Sequence, residues 1–145
     1  MYELANEKKC NYLLIESTGI SELLPVATTF DFRDEEGQSL SDVARLDTMV
    51  TVVDVANLIK NYSSVDFLKD KEENVEEGDE RTLVDLLVEQ IEFANVILLN
   101  KIDLISTEEL RTVKAIIHGL NAKAKIIETT HSKIDISKVM DTSLF

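Results

Sequence analysis

At 145 residues the chain is the size of one ordinary domain, able to bury about 70% of its unfolded surface, and its 44% apolar content excludes wholesale disorder. A formal net charge of −13 with no basic stripe excludes a nucleic-acid partner, because phosphates would be repelled. Cys10 is the one cysteine, which excludes a disulfide framework, and the longest apolar runs are strand-length, which excludes a membrane span; the expectation is a single cytoplasmic domain over 1–145 with no membrane partner.

In chain order, the first apolar run is Tyr12-Leu13-Leu14-Ile15, read as a strand. A short helix is expected from near Pro25, where the missing N–H costs nothing. The loop Asp34 to Ser41 reads as solvated. Met49 to Val53 is the second strand, its β-branched residues favouring strand over helix. Lys69 to Arg81 is densely acidic, suiting either a solvated loop or a site for a hard cation. Thr82 to Ala94 is a helix, with Val84, Leu87, Val88 and Ile91 on one face. Val96 to Leu99 is the third strand. Thr107 to Leu120 is a second strong helix with the stripe Leu110, Val113, Ile116, Ile117 and Leu120; Ser106 and Glu109 form a capping box at its start, and Gly119 can close its end. Lys125 to Ile127 is the fourth strand, and Ile134 to Met140 a further short helix. The runs are continuous rather than alternating, as in strands covered on both faces. Strand alternating with helix gives an α/β fold with a mostly parallel sheet.

The sharpest chemical signal is Asn100-Lys101-Ile102-Asp103, directly after the third strand. An aspartate carboxylate presents two acceptors side by side, matching the N1–H and exocyclic amine donors of guanine. Adenine lacks that donor pair, so Asp103 would discriminate against it. The Lys101 stem can lie along the base, and Asn100 can tie the loop to neighbouring backbone. Ligands of α/β folds bind at the carboxyl ends of parallel strands, where this tetrapeptide falls. The same residues also fit an ordinary polar loop.

A second signal is Glu16-Ser17-Thr18-Gly19, after the first run. It fits a loop beside a nucleotide's terminal phosphate, with Glu16 holding Mg²⁺ directly or through water and the Gly19 N–H approaching the phosphate unobstructed. It equally fits a plain turn.

Together these segments resemble the CobW (COG0523) family of metal-handling P-loop GTPases. The likeness rests on Tyr12-Leu13-Leu14-Ile15-Glu16-Ser17-Thr18-Gly19, on Pro25-Val26 and Thr29-Phe30, and on Val50-Thr51-Val52-Val53-Asp54. It continues through Gln90-Ile91-Glu92-Phe93-Ala94 and Val96-Ile97-Leu98-Leu99-Asn100-Lys101-Ile102-Asp103-Leu104 to Thr129-Thr130-His131-Ser132. It covers nearly the whole chain in order.

The resemblance implies a three-layer αβα P-loop NTPase-like fold that is incomplete. The family's phosphate loop, Gly-x-x-Gly-x-Gly-Lys-[Ser/Thr], and its Cys-x-Cys-Cys motif do not occur in this sequence, and Ser132 stands where the closing turn usually has glycine. The chain is therefore expected to be the C-terminal portion of a CobW-type GTPase domain. In relatives the phosphate-loop strand sits between the strands ending in Glu16 and Asp54, so those two would close on each other, or a second copy would fill the gap as a homodimer.

By the same resemblance, Glu16 is the catalytic residue, and Gly19, Asn100, Lys101, Asp103 and His131 contact the nucleotide. The parent protein would bind GTP or GDP with Mg²⁺, hydrolyse GTP and deliver zinc or cobalt to a client metalloprotein, or insert metal in cobalamin synthesis. The chain alone would be catalytically inactive and bind GTP weakly or not at all. Two rivals are an acidic interaction module that binds no nucleotide, and a metal-binding domain using His118, His131 and the acidic stretch. Two histidines without neighbouring ligands make a poor metal site.

Overall fold

The computed structural model describes residues 11–17, 24–63 and 83–145. The expectations placed on Cys10, on Gly19 and on the acidic stretch 69–81 lie outside these residues. The sheet is three-stranded, in the order β1 (Val50–Asp54), β2 (Val96–Asn100), β3 (Lys125–Thr129), with both pairings parallel. Among the described residues four α-helices accompany it: α1 (Leu24–Asp31), α2 (Val55–Ser63), α3 (Leu83–Glu92) and α4 (Thr107–Leu120). The architecture is α/β, an incomplete P-loop NTPase-like layering.

Strand order follows chain order, so right-handed crossovers running in one direction must fall on one face of the sheet. They do. Val53, Ile97 and Leu99 meet Val55 of α2, Ile91 of α3 and Val113 and Ile117 of α4 in one core, joined by Leu58, Ile59, Leu87 and Leu110. On the opposite face Val96, Leu98 and Ile127 gather Val50, Ile134 and Val139. Among the described residues β2 is the strand buried along its length, each of Val96 to Leu99 being buried. On β1, Val52 remains 55% exposed, which corrects the expectation that every strand is covered on both faces.

Helix α4 has the bounds its sequence pattern gives. The Ser106 side chain accepts from the Glu109 N–H while the Glu109 carboxylate accepts from the Ser106 N–H, a reciprocal capping box that satisfies donors at the helix start. Replacing Ser106 by alanine is expected to cost about 1 kcal/mol in a urea-unfolding comparison. The helix passes through Gly119 and is closed instead by Asn121, whose N–H donates to the Ile117 carbonyl.

Several expectations are corrected. Tyr12 to Ile15 is not a strand: it pairs with nothing among the described residues, and Leu14 is 79% exposed. A strand exists only with a ladder partner, and this segment has its one described anchor at Tyr12, whose hydroxyl donates to Asp47 at 2.8 Å. It does not close against β1, whose outer edge carries no partner strand among the described residues. The expected helix from Ile134 to Met140 is a single 3₁₀ turn, Ile136–Lys138, capped by Asp135. The loop Asp34 to Ser41 is not wholly solvated. Gly37 takes φ +78 in a tight turn, Arg33 and Ser39 form an antiparallel bridge, and Ser39 is buried, its hydroxyl donating to the Phe30 carbonyl. Helix α2 carries Val55, Leu58 and Ile59 at i, i+3 and i+4, a stripe that periodicity could have revealed.

Candidate functional site

Parallel register places the last residues of the three strands in one row: Asp54 lies opposite Asn100, and Asn100 opposite Thr129. These are the carboxyl ends of the strands, the rim where α/β sheets hold ligands. Each residue of the row controls a turn beyond it.

After β2 the chain reverses at once. Lys101 takes φ +65, a left-handed conformation uncommon for a residue with a side chain. It opens the 3₁₀ turn Ile102–Leu104, in which the Leu104 N–H donates to the Lys101 carbonyl at 3.0 Å. Ile102 and Ile105 pack toward the helix-side core, which leaves the residue between Ile102 and Leu104 facing outward. That residue is Asp103. It is exposed, and among the described residues its carboxylate makes no hydrogen bond or ion pair.

The loop is tethered on both flanks. On the β1 side, Lys101 Nζ donates to Asp54 Oδ2 at 2.6 Å. On the β3 side, the Ser132 N–H donates to Asn100 Oδ1 at 2.9 Å. The turn after β3 has His131 at φ +54 and Ser132 at φ +52, and the Thr129 hydroxyl donates to the Lys133 carbonyl at 3.1 Å. Ser132 thus carries the left-handed geometry that favours glycine, so the turn keeps that shape with a serine in it.

Asp54 holds two elements together. Its Oδ1 accepts from the Asn57 N–H at 3.1 Å at the start of α2, and its Oδ2 accepts from Asn57 Nδ2 at 3.0 Å as well as from Lys101. Partial burial disfavours its charge, but the Lys101 and Asn57 donors outweigh that and hold the carboxyl below its ordinary range.

The turns after β2 and β3 thus place Asn100, Lys101, Asp103 and His131 at one end of the sheet. Glu16 is exposed, and no hydrogen bond or ion pair joins it to the rim among the described residues. Gly19 lies outside those residues. Asp54 was not singled out as a site residue in the sequence, and Ser132 only as a departure from glycine, because the contacts they make depend on strand register. Chemically, the arrangement offers an unengaged carboxylate, an aliphatic lysine stem and a left-handed turn around an open rim. It suits a planar, donor-bearing heterocycle better than a cation. Among the described residues no group of three or more histidine, cysteine or acidic side chains could hold a metal ion, and no helix is long and apolar enough to cross a membrane.

The model of the CobW/HypB/UreG nucleotide-binding domain matches residues 1–128. Zinc-regulated GTPase metalloprotein activator 1 of Dictyostelium discoideum is 47% identical over 144 residues, covering 99% of this chain and 30% of that protein. The protein of the same name in Schizosaccharomyces pombe is 34% identical over 137 residues, 92% of this chain and 27% of its own. Zinc chaperone CobW of Sinorhizobium sp is 28% identical over 116 residues, 77% of this chain and 31% of its own. The chain thus spans about a third or less of the length of these relatives. No solved structure matches it.

Proposed function

Because the chain belongs to the CobW/HypB/UreG nucleotide-binding family of metal-handling GTPases, we propose that it is the guanine-reading portion of a GTP-binding zinc metallochaperone. The supporting observation is the free Asp103 carboxylate, held outward by a loop tethered on one side to Asp54 and on the other to Ser132. Two parallel acceptors on one side chain select the N1–H and exocyclic amine of guanine. Lys101 supplies an aliphatic surface for the base, and the turn at His131 closes the far side of the rim.

In this reading the whole protein hydrolyses GTP and uses the energy to deliver zinc to a client metalloprotein. The relatives whose names carry zinc favour that metal over cobalt or a role in cobalamin synthesis. Glu16 offers an oxygen ligand of the kind Mg²⁺ prefers, beside nucleotide phosphates and water. The sequence contains no Gly-Lys-[Ser/Thr] phosphate loop, and phosphoryl transfer depends on such a loop for positioning and charge neutralisation. The chain by itself therefore binds weakly through the base and does not turn GTP over. Its setting is the cytoplasm, where a lone cysteine stays reduced. Among the described residues no strand pairs with the outer edge of β1, which leaves room for a further strand or for a second copy of the chain, and light scattering distinguishes monomer from homodimer.

The test is a magnetic-resonance titration of the chain with millimolar GDP or ADP. GDP is expected to shift the amides of Lys101, Asp103 and His131 with saturation, and ADP to do so at least tenfold more weakly. Asp103→Ala should remove that preference, since each hydrogen bond to a charged group contributes about 2 kcal/mol. Equal responses to the two nucleotides would sink the base-reading assignment. GTP turnover by the chain alone would sink its inactivity.

A further inference from the structure

Resting on the guanine-reading role just proposed, the geometry points to Asp54 as a positioning residue for the base-reading loop. Through its ion pair with Lys101, Asp54 holds that residue in its left-handed turn and so sets where the Asp103 carboxylate faces.

Three observations converge. First, Lys101 adopts φ +65 although it bears a full side chain, and such a conformation persists only where surroundings over-determine it. The backbone cannot supply the reason alone, since the Lys101 carbonyl takes part in only the single bond from Leu104 that begins the 3₁₀ turn. The ion pair supplies it: at 2.6 Å the ammonium is pulled back across the rim toward β1 while the chain leaves β2. Second, Asp54 is itself fixed from two directions. Register holds it opposite Asn100, and Asn57 donates to both of its oxygens from the first turn of α2. The clamp is thus built on a strand and a helix rather than on a mobile loop, as a precise site requires. Third, Asn100 and Lys101 are adjacent but tied in opposite directions, one to the turn after β3 and one to the end of β1. The segment that follows, with Asp103 two residues on, has its starting direction set by that pair of ties.

A plain helix-capping role would also explain the Asn57 contacts, so the test must separate capping from positioning. Asp54→Asn is the informative variant: asparagine caps a helix as well as aspartate does, but it carries no charge for Lys101. The purified chain is labelled with ¹⁵N and ¹³C and compared with Asp54→Asn, with Lys101→Met and with the double variant. Three readouts are taken: the Lys101 backbone shifts and coupling constant, which report its left-handed φ; the relative response to GDP and ADP; and the thermal midpoint.

Asp54→Asn is expected to lower the midpoint only slightly, by the ion pair it loses, to erase the left-handed signature at Lys101, and to weaken GDP about tenfold. In the Lys101→Met background the same change is expected to have no further effect on GDP. A GDP preference that Asp54→Asn leaves intact overturns the Asp54 role alone and spares the guanine reading. An equal loss with or without Lys101 also overturns it, because the effect would then bypass the ion pair. A fall in the midpoint with the Lys101 signature retained makes Asp54 a helix cap only. Absence of any GDP preference in the unaltered chain sinks the base-reading role and this positioning role with it.

Discussion

Replacing Asn121 by alanine is expected to lower the stability of the chain by about 3 kcal/mol, more than an average surface substitution, because five hydrogen bonds meet on one side chain. Its Nδ2 donates to the carbonyls of Ile91 at 2.8 Å, Glu92 at 3.0 Å and Ala94 at 2.9 Å, while its Oδ1 accepts from the N–H groups of Lys123 at 3.1 Å and Ala124 at 3.0 Å. The three carbonyls belong to the end of α3 and the residues just beyond it, where intrahelical partners run out. Ile91 and Ala94 are buried, so water cannot readily take over the lost bonds. One side chain thus finishes α3, shapes the turn into β3, and follows directly on the end of α4. A loss of that size lowers the midpoint of a chain this long by roughly 10 °C. Asn121→Asp should be no better, since it keeps the acceptor but aims a carboxylate at three carbonyl oxygens. Urea unfolding of the two variants checks this; an alanine variant within about 0.5 kcal/mol of the parent would show that these bonds are exchanged for water at no cost.

The elements most legible in the sequence are those whose stabilisation is local or one-dimensional. Helix α4 carries its own cap and its own stripe, so Ser106, Glu109, Val113 and Ile117 announce it without reference to any other segment. Strand β2 lies between two neighbours and is buried at every position from Val96 to Leu99, so it reads as an unbroken apolar run. Tyr12 to Ile15 has the same composition and misleads for that reason: apolar residues favour a strand, but only pairing makes one. Ile134 to Met140 misleads differently. Its apolar positions Ile134 and Val139 pack on the sheet from either side of a single turn, and the chain then bends left-handed at Asp141 and Ser143. The candidate site divides along the same line. Asn100, Lys101 and Asp103 are legible because their chemistry is packed into four consecutive residues at a strand's end. Asp54 is not, because its partner is 47 residues away and meets it only through the β1–β2 register.

Asp47 is the other residue that sequence could not flag, and it gives the chain an acid-sensitive stability. It is 8% exposed, yet its carboxylate collects donors from both ends of the described chain: the Ser143 N–H at 2.7 Å, the Tyr12 hydroxyl at 2.8 Å, the Thr48 hydroxyl at 3.0 Å and the Thr142 N–H at 3.2 Å. Its backbone carbonyl accepts from the N–H groups of Leu144 and Phe145, and the Asn95 side chain donates to the Leu144 carbonyl, so residues 142–145 are strapped beside the amino ends of β1 and β2. Burial alone would favour the neutral acid, but these donors outweigh it and hold the carboxyl well below the usual carboxylate range. The sign of the pH dependence follows. Above about pH 5 the group is ionised in both folded and unfolded chains, and its contribution is fully present. As pH falls below that, the unfolded chain takes up the proton while folded Asp47 still refuses it, so stability declines through the interval down to the folded value. Asp54 is depressed in the same direction and adds to the trend. Asp47→Asn turns an amide N–H₂ toward the N–H of Ser143 or of Thr142, which can only donate, and is expected to cost about 3 kcal/mol at neutral pH. It should also flatten the decline between pH 4 and pH 2.5, because the residue that resisted protonation is gone. Urea unfolding of both proteins across that range measures the two slopes. Parallel slopes would mean that the acid sensitivity resides in other carboxylates and that the strap holds without the Asp47 charge.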